Sequence, residues 1–132
     1  MSFLLDTDIC SAHLKGAGAV SNRFLQYMDR LHISTITLGE LYTWALRRAS
    51  SPRRLTQLQE MLRELIVIDV TPSVARTYGE LRAALFDEGR PVPNMDLMIA
   101  ATAIASDLTL VTHNVGDYRN VPGLTIEDWL SA

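Results

Sequence analysis

Four carboxylates, Asp6, Glu40, Asp96 and Asp117, stand at the edges of apolar segments far apart in the chain. Asp6 is the most informative, because it ends the run Phe3-Leu4-Leu5, which reads as a short buried strand. An ionised carboxylate at the mouth of a buried strand is costly unless something cationic meets it. No lysine or arginine lies near Asp6 in sequence. A divalent metal shared with acids from elsewhere in the chain answers the charge. Carboxylate oxygens are hard ligands and suit Mg²⁺ or Mn²⁺, whereas zinc would favour histidine and cysteine. This chemistry points to a metal-dependent hydrolase, with phosphodiester cleavage as the leading reaction.

Each acid also has a purely structural reading. Thr37 and Glu40 have capping-box spacing, with threonine capping a helix and glutamate reaching back. Asp96 follows Pro93-Asn94 in a first helical turn, where the helix dipole favours an anion. Asp117 follows Asn114 and Gly116 in a turn and is placed to cap a short helical segment. Asp8 reads as the N-cap of a helix starting near Ile9. Taken together the acids gain weight, because first-turn side chains lean back toward the preceding strand ends.

The elements that must position these groups alternate. Strand patterns fall at 3–5, 32–36, 66–70, 108–111 and 124–126. Helical patterns fall at 9–15, 19–29, 37–49, 72–87 and 95–105, with another opened by Pro52. Leu38, Leu41, Tyr42, Ala45 and Leu46 share one helix face, and Leu55, Leu58, Leu62 and Leu65 form a second stripe. Val74, Tyr78, Leu81 and Leu85 point inward from the helix at 72–87. The segment 95–105 is apolar on nearly every side and reads as a central buried helix, with Met95 and Met98 as core fillers. Strands separated by helices imply a parallel sheet covered on both faces, with ligands bound outside the carboxyl ends of the strands. Asp6 lies at one such end, and Thr112, His113 and Asn114 lie at another.

Composition narrows the class. A chain of 132 residues, 48% hydrophobic, fits one α/β domain spanning 1–132. No tract is long enough to cross a membrane, and the N-terminal apolar run stops at an acid without a basic leader. The single cysteine, Cys10, forms no internal disulfide and no zinc pattern, so a cytoplasmic location fits. The net charge of −3 argues against a simple electrostatic nucleic-acid binder. Arg47, Arg48, Arg53 and Arg54 cluster, either as a solvated helix end complementing a dipole or as phosphate contacts. His32 reads as structural, His113 as a neighbour of the site without a visible partner, and Trp44 and Trp129 as packing residues.

The motifs Leu4-Leu5-Asp6-Thr7-Asp8, Ser34 with Glu40-Leu41, Asp96-Leu97-Met98-Ile99-Ala100-Ala101, and Leu110-Val111-Thr112-x-Asn114-x-x-Asp117-Tyr118 resemble the PIN-domain family. Within it the chain looks most like the VapC-type toxin nucleases of prokaryotic toxin–antitoxin pairs, from residue 3 to about residue 129. The resemblance implies a single three-layer domain, a short parallel sheet flanked by helices on both faces. It also implies Mg²⁺-dependent endoribonuclease activity leaving a 5′-phosphate and a 3′-hydroxyl, with transfer RNA as a common target. It implies Asp6, Glu40, Asp96 and Asp117 as catalytic and metal-binding residues, with Asp8, Thr112 and Asn114 in a second tier. Some family members place the fourth acid where this chain has Asn114, and asparagine is common where it has Asp8. The implied partners are a VapB-like antitoxin and a second copy of the chain. The exposed sides of the helices at 37–49 and 53–65 offer a contact region.

Two other classes fit parts of the pattern. Asp6-Thr7-Asp8 mimics the nucleophile motif of haloacid-dehalogenase-type phosphatases, and Asp69 could serve a response-regulator receiver. Both need a distant lysine, and Lys15, the only lysine, stands too close to the first motif. A non-catalytic interaction module would use the acids only as caps. Calorimetric titration separates these readings: Mn²⁺ should release or absorb heat with the wild-type protein and give none with Asp6→Asn.

Overall fold

The computed structural model describes residues 1–131. Five strands form one sheet: β1 (Phe3–Leu5), β2 (Leu31–Ser34), β3 (Ile66–Ile68), β4 (Thr109–Val111) and β5 (Ile126–Glu127). Their order is β3-β2-β1-β4-β5, and every pairing is parallel. Phe3 registers with Leu31 on one side and Thr109 on the other, so β1 is central. Parallel strands require crossovers, and the intervening chain supplies them as helices. These are α1 (Thr7–Leu14), α2 (Gly18–Gln26), α3 (Thr35–Leu46), α4 (Arg53–Leu62), α5 (Pro72–Asp87), α6 (Asn94–Ala105) and the short α7 (Val115–Tyr118).

The chain steps outward from β1 through β2 to β3, then returns past β1 to β4 and β5. Right-handed crossovers put the helices of opposite steps on opposite faces. The core shows this division. Phe3, Leu5, Ile33 and Val111 pack with Ile9, Val20, Phe24, Leu41, Leu58 and Met61. Leu4 and Leu110, which alternate with them, pack with Val74, Leu81, Leu85 and the α6 residues Leu97, Ile99, Ala100, Ala101 and Ala103. Alternating strand side chains thus feed two apolar layers, and the three-layer α/β arrangement expected from the sequence is present. The small residues of α6 let it sit close against the sheet, where Thr102 satisfies its buried hydroxyl on the Met98 carbonyl at 2.8 Å.

Element ends decide which side chains reach the sheet mouth. The α5 helix opens with Thr71 capping the Val74 N–H at 3.2 Å and Pro72 at its first position, and closes before Gly89 at φ +67°. The second strand ends at Ser34, two residues earlier than its apolar pattern suggests. Ser34 Oγ accepts from the Thr37 N–H at 3.1 Å and caps α3, so Thr37 is not the cap. With the helix starting at Thr35, Glu40 is too far along it for a capping box, and that reading is overturned. Likewise α1 begins at Thr7 with Asp6 as its N-cap, which displaces Asp8 into the first turn. Asn114, not Asp117, holds the N-cap position of α7.

Several packing expectations also change. Leu46 is the last residue of α3 and is exposed, because the stripe outruns the layer opposite it. Met95 is exposed in the first turn of α6, at the sheet mouth, while Met98 packs against the core. Arg47 is the C-cap of α3, but Arg53 and Arg54 open α4, where the dipole does not favour them. Arg54 instead lies over the Trp44 ring at 4.9 Å and donates to the Trp44 carbonyl. Trp129 is buried against Phe3 and Tyr27. Among the described residues, no helix is long and apolar enough to cross a membrane.

Ser34 is fully buried and holds the start of the helix that presents Glu40. Ser34→Ala should lower unfolding free energy by about 1 kcal/mol, the usual loss of a serine N-cap, read as a shifted midpoint in urea denaturation.

Candidate active site

The strand order reverses between β1 and β4, and the chain leaves both strands at the same edge. A crevice outside the carboxyl ends at such a switch point is the usual ligand site of an open parallel sheet. Leu5 pairs with Val111, so the next residues, Asp6 and Thr112, lie side by side at that mouth.

Asp6 is buried and well held. Its Oδ1 accepts from the Thr7 N–H at 2.8 Å, and its Oδ2 accepts from the Thr112 hydroxyl at 2.9 Å. The Thr112 hydroxyl in turn accepts from the Asn114 N–H at 3.0 Å, tying the loop after β4 to the carboxylate. Thr112 is completely buried, and this relay satisfies its hydroxyl. The sequence placed Thr112 and Asn114 near the site, and the structure gives each a defined contact there.

The other acids arrive from four helices. Glu40 comes from α3, and its Oε1 accepts from the Thr7 hydroxyl at 2.6 Å. That contact links α3 to α1 and replaces the capping role expected of Glu40. Asp96 lies in the first turn of α6, as expected, and its Oδ1 accepts from the Tyr118 hydroxyl at 3.4 Å. Asp117 lies in α7, where its Oδ2 accepts from Asn114 Nδ2 at 2.7 Å. Asp8 Oδ2 accepts from the His113 N–H at 3.0 Å, while its Oδ1 is buried without a partner among the described residues.

Electrostatics show that these groups sense one another. The Asp96 carboxyl is held above the ordinary carboxylate range, first by burial, then by the charges of Asp6 and Asp117, with Glu40 adding to them. Asp8 is raised by burial and then by Asp6. No lysine or arginine forms an ion pair with any of the five acids among the described residues. A concentration of negative charge without a protein cation is the donor chemistry a hard divalent ion requires. The side chains do not form a closed ligand set as they stand: among the described residues, no three His, Cys, Asp or Glu groups are gathered tightly enough to hold an ion. Hydrogen bonds from Thr7, Tyr118 and Asn114 hold Glu40, Asp96 and Asp117 on their own sides of the crevice. Oxygen donors, mutual repulsion and an unpartnered buried oxygen all fit a divalent cation.

Two features around the site escaped sequence reasoning. His113 Nδ1 lies 3.0 Å from Asp128 Oδ2, which also accepts from the hydroxyl of Ser131, so the histidine does have an anionic partner. Tyr118 was visible only as the residue after Asp117 in the fourth motif, with no signal for where its hydroxyl points. His32 is structural, as expected, donating from Nδ1 to the Phe3 carbonyl at 3.1 Å. A cavity of about 410 Å³ lined by His13, Phe24, Leu25 and Glu64 lies away from these acids.

A family model described as the PIN domain matches residues 3–124. The tRNA(fMet)-specific endonuclease VapC of Shigella flexneri is 35% identical over 130 residues, covering 98% of each chain. Ribonuclease VapC2 of Rickettsia felis is 33% identical over 132 residues, also covering 98% of each. The chain superposes on the crystal structure of DNA-bound VapBC from Salmonella typhimurium with a TM-score of 0.92 at 35% identity, covering 98% of both chains.

The raised Asp96 carboxyl sets the sign of a pH effect. Native protein holds this proton more tightly than the unfolded chain, whose value is near 3.8. Between that value and the raised native one, metal-free protein loses stability as pH rises, and above the window the penalty is complete. Asp96→Asn should therefore melt higher than wild type at neutral pH without metal, with the difference vanishing in acid below the unfolded carboxylate value. Calorimetric melts across pH measure it.

Proposed function

This chain belongs to the PIN-domain family, and from that premise we propose that it is a Mg²⁺-dependent endoribonuclease, the toxin of a toxin–antitoxin pair. The observation that carries the reading is the convergence of Asp6, Glu40, Asp96 and Asp117 on one crevice, where the charges of the other three raise Asp96. Asp6, Asp96 and Asp117 hold the ion, Glu40 serves as ligand or base, and Mn²⁺ substitutes. Once bound, such an ion neutralises charge on the scissile phosphate and makes an attacking water more acidic.

The protein's own part is orientation. Thr7 and Thr112 fix Asp6 from both oxygens, so its position depends on strand ends rather than on a mobile loop. The Thr7 hydroxyl holds Glu40 on the opposite rim, and Asn114 holds Asp117. Asp8, with its unpartnered oxygen, extends the acidic lining beside His113. A phosphodiester entering this crevice meets carboxylates, hydroxyls and amides, and no histidine acid–base pair is needed for water to attack.

Substrate and partner follow from the relatives. A tRNA-specific name for a relative covering 98% of the chain supports a transfer RNA substrate. Likeness to a solved VapBC complex supports a VapB-like antitoxin. The outer sides of α3 and α4, where Leu46 is exposed, offer the contact region for the antitoxin or for a second copy in a homodimer.

Asp96→Asn should fold and lose RNA cleavage by at least about a hundredfold, the scale of removing one preorganised electrostatic group. Glu40→Gln should lose less, about tenfold, because glutamine keeps an oxygen for the Thr7 hydroxyl. Both are measured as metal-dependent shortening of transfer RNA by purified protein, with p-nitrophenyl phosphate as the ester that a nuclease ignores and a phosphatase hydrolyses. Full metal-dependent activity in Asp96→Asn would overturn the assignment.

A further inference from the structure

Tyr118 is the largest fully buried side chain of the protein. Its ring packs in the apolar layer beneath α6, among Leu97, Ala101 and Leu110. Phenylalanine would fill that layer as well, so packing does not account for the hydroxyl. A buried hydroxyl without a partner costs on the order of 1–3 kcal/mol, and this one is aimed into the acid cluster. It donates to Asp96 Oδ1 at 3.4 Å.

The two carboxylates differ in how they are held. Asp6 has the Thr7 N–H and the Thr112 hydroxyl on its two oxygens. Asp96 has one side-chain donor among the described residues, and it is Tyr118. Asp6 sits on a central strand end and Asp96 on a helix turn of a different layer, with charge repulsion between them. A neutral O–H holds the Asp96 carboxylate without cancelling its charge. Because the ring is locked by packing, the hydroxyl is a fixed reference point rather than a mobile one.

We propose that Tyr118 is a positioning residue whose buried hydroxyl holds Asp96 and fixes how that carboxylate presents its oxygens to the divalent cation. The proposal rests on the metal-site reading above. At 3.4 Å the bond to Asp96 is long, and site hydrogen bonds commonly tighten on loading.

Tyr118→Phe removes only the oxygen and keeps the ring. Calorimetric titration with Mn²⁺, in the absence of RNA, should show the dissociation constant rising on the order of tenfold, the usual effect of losing a group that orients a metal ligand. In RNA cleavage at limiting Mn²⁺, kcat should fall while the KM for RNA stays unchanged. A role in packing alone would lower the metal-free melting temperature and leave Mn²⁺ affinity where it was, and that result overturns the proposal. A measurement on wild-type protein needs no variant to fold: saturation with Mg²⁺ should shift the tyrosine ultraviolet absorption, because the phenol's carboxylate partner changes charge environment. A wild-type spectrum that does not move also overturns it. Wild-type protein that takes up no divalent ion would overturn both this proposal and the nuclease reading, whereas equal affinity in wild type and Tyr118→Phe would sink the positioning role alone.

Discussion

Repulsion among carboxylates crowded at one sheet mouth is the constraint around which the rest of this protein is arranged. Asp6, Glu40, Asp96 and Asp117 come from β1, α3, α6 and α7, and the raised Asp96 carboxyl records the strain of bringing them together. A fold selected for stability alone would separate these charges or pair them with arginine, of which the chain has many. Here the arginines sit elsewhere, on Trp44, Phe86 and outer helix faces. The folded chain concentrates anionic oxygen where a hard cation can neutralise it, and pays in metal-free stability for that readiness.

The scaffold meets the strain with rigid supports. The central strand β1 is covered on both faces, so Asp6 leaves a segment with no freedom to shift. Thr7, Thr112 and Asn114 each give a carboxylate one short, directed contact, and Tyr118 gives Asp96 a longer one. These groups are neutral donors, which hold an anion in place without cancelling its charge. A lysine in any of these positions would hold the acid equally well and compete with the metal.

Much of this was legible before any coordinates. The limits of α5 were readable because Thr71-Pro72 marks its start and Gly89 its stop. The buried character of α6 followed from its unbroken apolar sequence, and the five strands from short apolar runs between helical patterns. The start of α3 was misread because Ser34 and Thr37 are both good caps three residues apart. Local propensity does not choose between them; the strand pairing that ends at Ser34 opposite Ile68 does. Glu40 then changes role with that boundary, from a reaching cap to an acceptor for Thr7.

The sequence by itself determined which groups could do chemistry and in what order they come, since carboxylates at the ends of apolar segments are expensive wherever the chain goes. It determined the layer to which each strand residue belongs, because alternation along a strand is a local property. Only the tertiary structure decided which donor holds each acid, and that a buried tyrosine hydroxyl reaches Asp96. Those facts depend on the relative placement of residues up to 106 positions apart, Asp6 and Thr112 among them. Placement at that separation is set by sheet register and helix packing, and no local pattern in the sequence encodes it.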